Sequence, residues 1–282
     1  MPNADTKNSA SAKLPIALFD SGMGGLTVLK AINTILPGED LLYLGDTARL
    51  PYGTKGRDTI IRYTIKAAQA LVQQGVKMLV VACNTATAAA LPTLRKELKP
   101  LPVVGVVEPG AHAAALASRN GKIVVVATEA TIKREAYQRA ILGIRPNADV
   151  IGRACTLFVS LAEEGWMDGP LVEGIARRYI GDVFGDGRPD APDTLLLGCT
   201  HFPPLRPALE NVVGDGVAIV DSAATTAEWV RSELARRNLA RPRTSGGRCR
   251  FLTTDNPARF ARIGQQFLGR ALHPRSVTLI DL

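Results

Sequence analysis

Short runs of branched apolar residues alternate along this chain with longer segments in which apolar positions recur every three or four residues. "PIALFD" (15–20) is apolar throughout and reads as a strand; "SGMGG" turns the chain into "LTVLKAINTIL" at helical spacing. "DLLYLGD" (40–46), "VKMLVVAC" (76–83) and "PVVGVVE" (102–108) continue the strand series, with "TIIRYTIKAAQALVQQG" as a long helix between the second and third. A second series runs through "GKIVVVAT" (121–128), "ADVIGRAC" (148–155), "DTLLLGC" (193–199) and "GVAIVD" (216–221). Strands that alternate with helices imply parallel sheets covered by helices on both faces.

The two series predict an α/β fold of two similar three-layer domains with mainly parallel sheets and an active site in the cleft between them. The expected boundaries lie near Pro109 in "EPGAH" and near Ser222 in "DSAATTAEW". They divide the chain into a disordered tail (1–14), a first domain (15–110 plus 222–282) and a second (111–221), with the last segment returning to the first half.

Composition narrows the class. The chain has 282 residues, 46% of them hydrophobic, enough for two ordinary cores. No apolar run approaches the roughly 18 residues of a membrane span, and the polar start lacks the apolar core of a secretory signal, so a soluble cytoplasmic protein is expected, with no membrane partner. The formal net charge is +8, much of it in "RSELARRNLARPRTSGGRCR" (231–250), where acidic neighbours are few and aromatics do not interleave. That stretch reads as a solvated helix end and loop. A basic surface also concentrates small anionic substrates.

Four widely spaced cysteines form neither a metal clip nor a disulfide scaffold, and no metal is expected. Two of them share one local setting: "VVACNTAT" (80–87) and "LLLGCTHF" (195–202) each run an apolar strand into a small residue, a cysteine and polar side chains. Ligands gather beyond the carboxyl ends of parallel strands, where both cysteines fall together with Asp20, Asp46 and Glu108. A disulfide exchanger would keep its cysteines close in sequence. A cysteine hydrolase built on Cys199 and His201 would leave Cys83 idle. Stereoinversion at carbon uses both, because one thiol takes a proton from one face while the other delivers a proton to the opposite face, and a thiol near pKa 8.5 can do either. "SGMGG" fails the dinucleotide fingerprint because Thr27 stands where the third glycine belongs, and it reads as a tight turn beneath the substrate. Asp46 reads as the anchor of its loop, Cys155 and Cys249 as structural, and His112 and His273 as surface or satisfied residues.

"ALFDSGMGG", "YLGDTARLPYG", "ACNTAT", "GVVEPG", "ATEATIKREAY", "FVSLAEEGW" and "LLLGCTHFPPL", in this order, resemble the cofactor-independent aspartate/glutamate racemase family from about Ile16 to about Thr226. The resemblance implies interconversion of L- and D-glutamate without a cofactor, supply of the D-isomer for peptidoglycan, and a homodimer. It further implies that Cys83 and Cys199 are the paired acid/base thiols, Cys83 working on D-glutamate and Cys199 on L-glutamate. Asp20 would assist Cys83, and His201 with Glu163 would assist Cys199. Carried-over substrate contacts are Asp20, Ser21, Pro51, Tyr52, Gly53, Asn84, Thr85, Thr128, Thr131, Thr200 and His201. Two other readings stand beside this one: racemisation of aspartate or a hydantoin, and a non-catalytic role in binding nucleic acid or gyrase through the basic C-terminal segment.

Overall fold

Strand β1 (Ile16–Asp20) is buried at all five positions, the continuous apolar run of a strand covered on both faces. In the computed structural model, which describes residues 11–184 and 191–282, it sits inside a six-stranded sheet. The other strands of that sheet are β2 (Leu41–Gly45), β3 (Met78–Val81), β4 (Val103–Gly105), β9 (Cys249–Thr253) and β10 (Val277–Leu279), in the order β10-β9-β2-β1-β3-β4, every pair parallel. A second, four-stranded parallel sheet has the order β6-β5-β7-β8, from β5 (Lys122–Ala127), β6 (Asp149–Ala154), β7 (Thr194–Leu197) and β8 (Ala218–Asp221).

The period of two along each strand builds three layers twice. Ile16, Leu18, Met78 and Val80 face one side of the first sheet, against α1 (Leu26–Ile35), α10 (Ser222–Arg236) and α11 (Pro257–Leu268). Ala17, Phe19, Leu79 and Val81 face the other, against α2 (Arg57–Gln73) and α3 (Asn84–Glu97). In the second sheet Val124, Val126, Leu195 and Leu197 meet α7 (Leu157–Glu164), α8 (Pro170–Phe184) and α9 (Arg206–Val213). Ile123, Val125 and Leu196 meet α4 (Val107–Ala117) and α6 (Ala136–Ile144), with Ile132 of the short α5 (Glu129–Lys133) packed against the same cluster. The two-sheet α/β architecture is the one the alternation predicts.

Several boundaries differ from expectation. The strand expected over 102–108 ends at Gly105, and α4 begins at Val107 and contains Pro109 in its first turn, where proline's missing N–H goes unmissed. The chain therefore passes between the sheets on helices: the stretches near Pro109 and Ser222 lie in α4 and at the start of α10, and α10 packs on both α1 and α4. Residues 1–10 of the expected tail lie outside the described residues. Its remainder is anchored through Ala12, which is buried and whose carbonyl accepts from Lys77 Nζ at 2.8 Å.

The basic stretch is paired more fully than its sequence suggests. Arg231 meets Glu228, Arg236 and Arg237 share Glu233, and Arg241 and Arg243 converge on Asp40, some two hundred positions earlier. Among the described residues no helix is long and apolar enough to cross a membrane.

A buried cation ties the returning chain to the amino end of the first sheet. Lys77 Nζ bonds Glu39 Oε2 at 2.5 Å and the carbonyl of Leu239 at 2.8 Å, while Glu39 Oε1 accepts from the Arg241 N–H at 2.8 Å. The pair is almost wholly shielded, with side-chain exposures of 0% and 4%. Removing one member strands the other charge, so Lys77→Met should destabilise the chain by about 3–5 kcal/mol in urea unfolding. Lys77→Met with Glu39→Leu should recover most of that loss.

Candidate active site

In each sheet the chain reverses its direction of winding about its first strand. β2 lies on one side of β1 and β3 on the other; β6 lies on one side of β5 and β7 on the other. The loops leaving such a pair diverge, which opens a crevice beyond the strands' carboxyl ends. Asp20 closes β1 and Cys83 lies two residues past β3; Thr128 follows β5 and Cys199 lies two residues past β7. The repeated sequence motif thus marks the same topological position in the two sheets, and both thiols line one shared cavity.

Cys83 is 5% exposed and caps α3: the Ala86 N–H donates to its sulfur at 3.4 Å, and its own thiol donates to Ser21 Oγ at 3.4 Å. Burial, reinforced by the Asp20 charge, pushes the thiol up to about 12 in spite of those two contacts. Asp20 is completely buried and lies beneath the cavity wall. Its carboxylate accepts from the Gly22 N–H at 2.9 Å and the Thr200 hydroxyl at 3.4 Å. Burial raises its pKa, with His201 and the N–H groups of Gly22 and Gly25 opposing.

Cys199, 6% exposed, lines the cavity together with His201. Burial disfavours the imidazolium, yet the contacts with Cys199 and Glu163 outweigh it and raise His201 to about 10. Nε2 of His201 stands 3.3 Å from Glu163 Oε1, and Arg259 Nη2 donates to Glu163 Oε2 at 3.0 Å. Burial would raise Glu163, but His201 and Arg259 hold it below the usual range. The ring packs edge-on to Phe267 with centroids 5.1 Å apart.

The rest of the wall offers neutral donors. Thr85 and Thr128 share a hydrogen bond of 2.9 Å between the two halves, and Thr131, 1% exposed, supports both from behind without lining the cavity. Tyr137 donates to Asn84 Oδ1 at 2.5 Å, leaving the buried Asn84 Nδ2 without a partner. Ser21, Pro51, Tyr52, Gly53, Thr200 and His201 line the cavity as expected, but the Tyr52 hydroxyl is committed to Asp46 at 2.6 Å, so what Tyr52 presents is its ring and backbone. Asp46 also accepts from Arg49 and Thr254, which makes it the anchor of the loop. Two glycines permit close approaches between the halves: a Cβ on Gly24 would lie 2.4 Å from His201 Nδ1, and one on Gly53 would lie 2.7 Å from Thr128 Cβ.

The cavity is narrow, about 40 Å³, little more than the ~30 Å³ that one water takes up in the liquid. A larger cavity of about 630 Å³ between α1 and α10 includes neither thiol. Glu108 lies away from both, paired with Arg95 at 2.7 Å on the surface. Cys155 and Cys249 do not line the thiol cavity; His112 packs on Trp229, and exposed His273 accepts from the Arg275 N–H. The sequence reading missed Arg259, which no motif flags, and Tyr137, whose place at the end of the "ATEATIKREAY" block was the available signal.

Comparison with known proteins places these features in context. Residues 21–230 match the Asp/Glu/hydantoin racemase family. A glutamate racemase of Geobacter metallireducens is 48% identical over 257 residues, which span 91% of this chain and 93% of that protein. The solved structure of glutamate racemase from Francisella tularensis in complex with D-glutamate superposes with a TM-score of 0.87 at 34% identity, covering 95% of this chain and 98% of that one. For the Thermus thermophilus glutamate racemase in complex with beta-chloro-D-alanine, the TM-score is 0.85 and the identity 42%, with 96% and 98% covered. An allantoin racemase of Klebsiella pneumoniae, 23% identical with a TM-score of 0.58, shares the fold.

Two outcomes follow from the geometry. Gly24→Ala should displace His201 and sharply reduce any activity that uses it while the far-ultraviolet circular dichroism stays native. His201 is raised from 6.5 to about 10, so its stabilising contribution is complete below the unfolded value and is lost as pH rises through the folded one. Urea unfolding across that window should therefore show an alkaline loss of stability that His201→Gln abolishes; equal slopes in the two proteins would contradict the assignment.

Proposed function

Because this chain belongs to the Asp/Glu/hydantoin racemase family, we propose that it is a cofactor-independent glutamate racemase that moves protons with Cys83 and Cys199. One observation carries the reading: two buried thiols, each at the switch point of its own parallel sheet, line one cavity. We assign residues 15–110 with 222–282 to one domain and 111–221 to the other, on the strength of the sheet each segment joins. The substrate assignment is supported by relatives named glutamate racemases at 41–48% identity and by the F. tularensis structure that holds D-glutamate. Production of D-glutamate for peptidoglycan is the role that goes with this activity.

The reaction replaces one Cα–H bond by another. The thiolate on one face takes the α-proton as the carbanion forms, and the thiol on the other face donates its proton to the same carbon. The enzyme is left with the two thiols in exchanged protonation states, and the outcome is inversion. Because the α-carboxylate is already negative, the developing charge needs fixed donors in a water-poor site. The orphan N–H groups of Asn84 and Thr85 at the start of α3, Asn84 Nδ2 and the hydroxyls of Ser21 and Thr85 supply them. None of the residues lining the cavity is a lysine or arginine. Near Cys83, neutral donors hold carboxylates without a strong cation that would lower the basicity of its thiolate, whereas Cys199 has the His201 cation beside it.

The arrangement is asymmetric at rest. Cys83, pushed up to about 12, carries its proton at neutral pH. The His201 cation beside Cys199 offsets negative charge on that sulfur as a proton arrives or leaves. A cavity of about 40 Å³ does not admit a dicarboxylate, so the halves separate to load substrate and close around it. Five of the seven arginines of the basic segment are paired with Glu228, Glu233 or Asp40, which weakens the nucleic-acid or gyrase reading.

The test is formation of one glutamate enantiomer from the other, followed by circular dichroism without added cofactor, with aspartate in parallel. Glutamate should racemise and aspartate should not. Cys83→Ser and Cys199→Ser should each lower kcat/KM on the order of 10²- to 10⁴-fold, the usual contribution of a positioned acid or base. Full activity in either variant would overturn the two-thiol mechanism, and turnover of aspartate alone would overturn the substrate.

A further inference from the structure

The support for Cys199 is completed from the opposite half of the molecule. Glu163 sits in the last turn of α7, on the second sheet, where the negative end of the helix dipole disfavours a carboxylate. Its two oxygens are divided: Oε1 faces His201 Nε2 at 3.3 Å, and Oε2 accepts from Arg259 Nη2 at 3.0 Å. Arg259 stands in the first turn of α11, whose core residues pack on the first sheet. Its backbone is pinned, because Asn256, held at φ 36°, caps the helix by accepting from the Arg259 N–H at 3.0 Å. The same helix presents Phe267 to the edge of the His201 ring. Cys83 has no such dependence: its hydrogen-bond partners, Ser21 and the Ala86 N–H, belong to its own half.

We propose that Arg259 is a positioning residue: it holds one oxygen of Glu163 from across the cleft, so that the other oxygen orients His201 against Cys199 only when the halves are closed. The proposal rests on the racemase reading for its catalytic consequence and on the geometry alone for the orientation of His201. A guanidinium suits the task because its planar fork fixes direction as well as charge. Orientation supplied this way ties the readiness of one thiol to closure and leaves the other preset.

The two enantiomers are equal in free energy, so kcat/KM must be the same in both directions for every variant. A fall in rate therefore cannot identify the affected thiol, whereas the isotope effect on each α-deuterated enantiomer can. Arg259→Ala should lower kcat/KM about tenfold, as loss of an orienting partner does at other sites. The deuterium effect should grow for the enantiomer deprotonated by Cys199 and shrink for the other, and Arg259→Lys should recover part of the rate. In parallel, ¹⁵N NMR of the histidine side chains should show the His201 signals moving in Arg259→Ala and not those of His112 or His273. If Arg259→Ala fails to fold, Arg259→Met replaces it in both measurements.

Unchanged isotope effects together with unmoved His201 signals would overturn the proposal. So would isotope effects that change equally for the two enantiomers, because that would mark a general loss of closure. If the wild type leaves glutamate untouched while the His201 signals still move, the racemase reading falls and the positioning contact stands.

Discussion

Burial of two thiols in one narrow cavity is the constraint to which the rest of this structure answers. Cys83 and Cys199 are almost inaccessible, and burial, reinforced by the Asp20 charge, sends Cys83 up to about 12, far from where a base is useful. Each feature around the thiols offsets that cost without bringing in water. Cys83 has a helix N-terminus and a serine hydroxyl; Cys199 has a histidine held cationic by Glu163, which is held in turn by Arg259. Among the described residues, hydroxyls, an amide and apolar side chains complete the wall, and no lysine or arginine lines it.

The fold supplies this geometry economically. A parallel sheet has one natural crevice at its carboxyl edge, and two such sheets joined through α4 and α10 can turn their crevices toward each other. The resulting site is shared: the Thr85–Thr128 contact, the Thr200–Asp20 contact and the Arg259–Glu163 pair all cross from one half to the other. These hydrogen bonds hold the two halves together around the cavity.

How much of this was legible in the sequence follows from which interactions are local. β1, β3, β5 and β7 are buried on both faces, so their apolar runs are unbroken and easily read. The two cysteines announced themselves because the same position was built twice. The start of α4 was obscured because Val106 and Val107 continue the branched run of β4 into the helix. β10 is an edge strand, β9 lies beside it, and both are partly exposed, so "CRFLT" and "VTL" lack a full apolar signature. Arg259 is one arginine on the polar side of an ordinary amphipathic helix, and Arg241 and Arg243 find Asp40 only through the tertiary fold. Their partners are remote in sequence, and no spacing rule reaches them.

The central claim is that one thiol removes the α-proton and a different thiol replaces it. The most direct test is the isotopic composition of both enantiomers at low conversion of L-glutamate in D₂O. With two bases, the D-glutamate formed should carry solvent deuterium at Cα while the remaining L-glutamate keeps its protium. Deuterium appearing equally in the unreacted L-glutamate, or protium retained in the product, would mean that a single group serves both faces and would contradict the account.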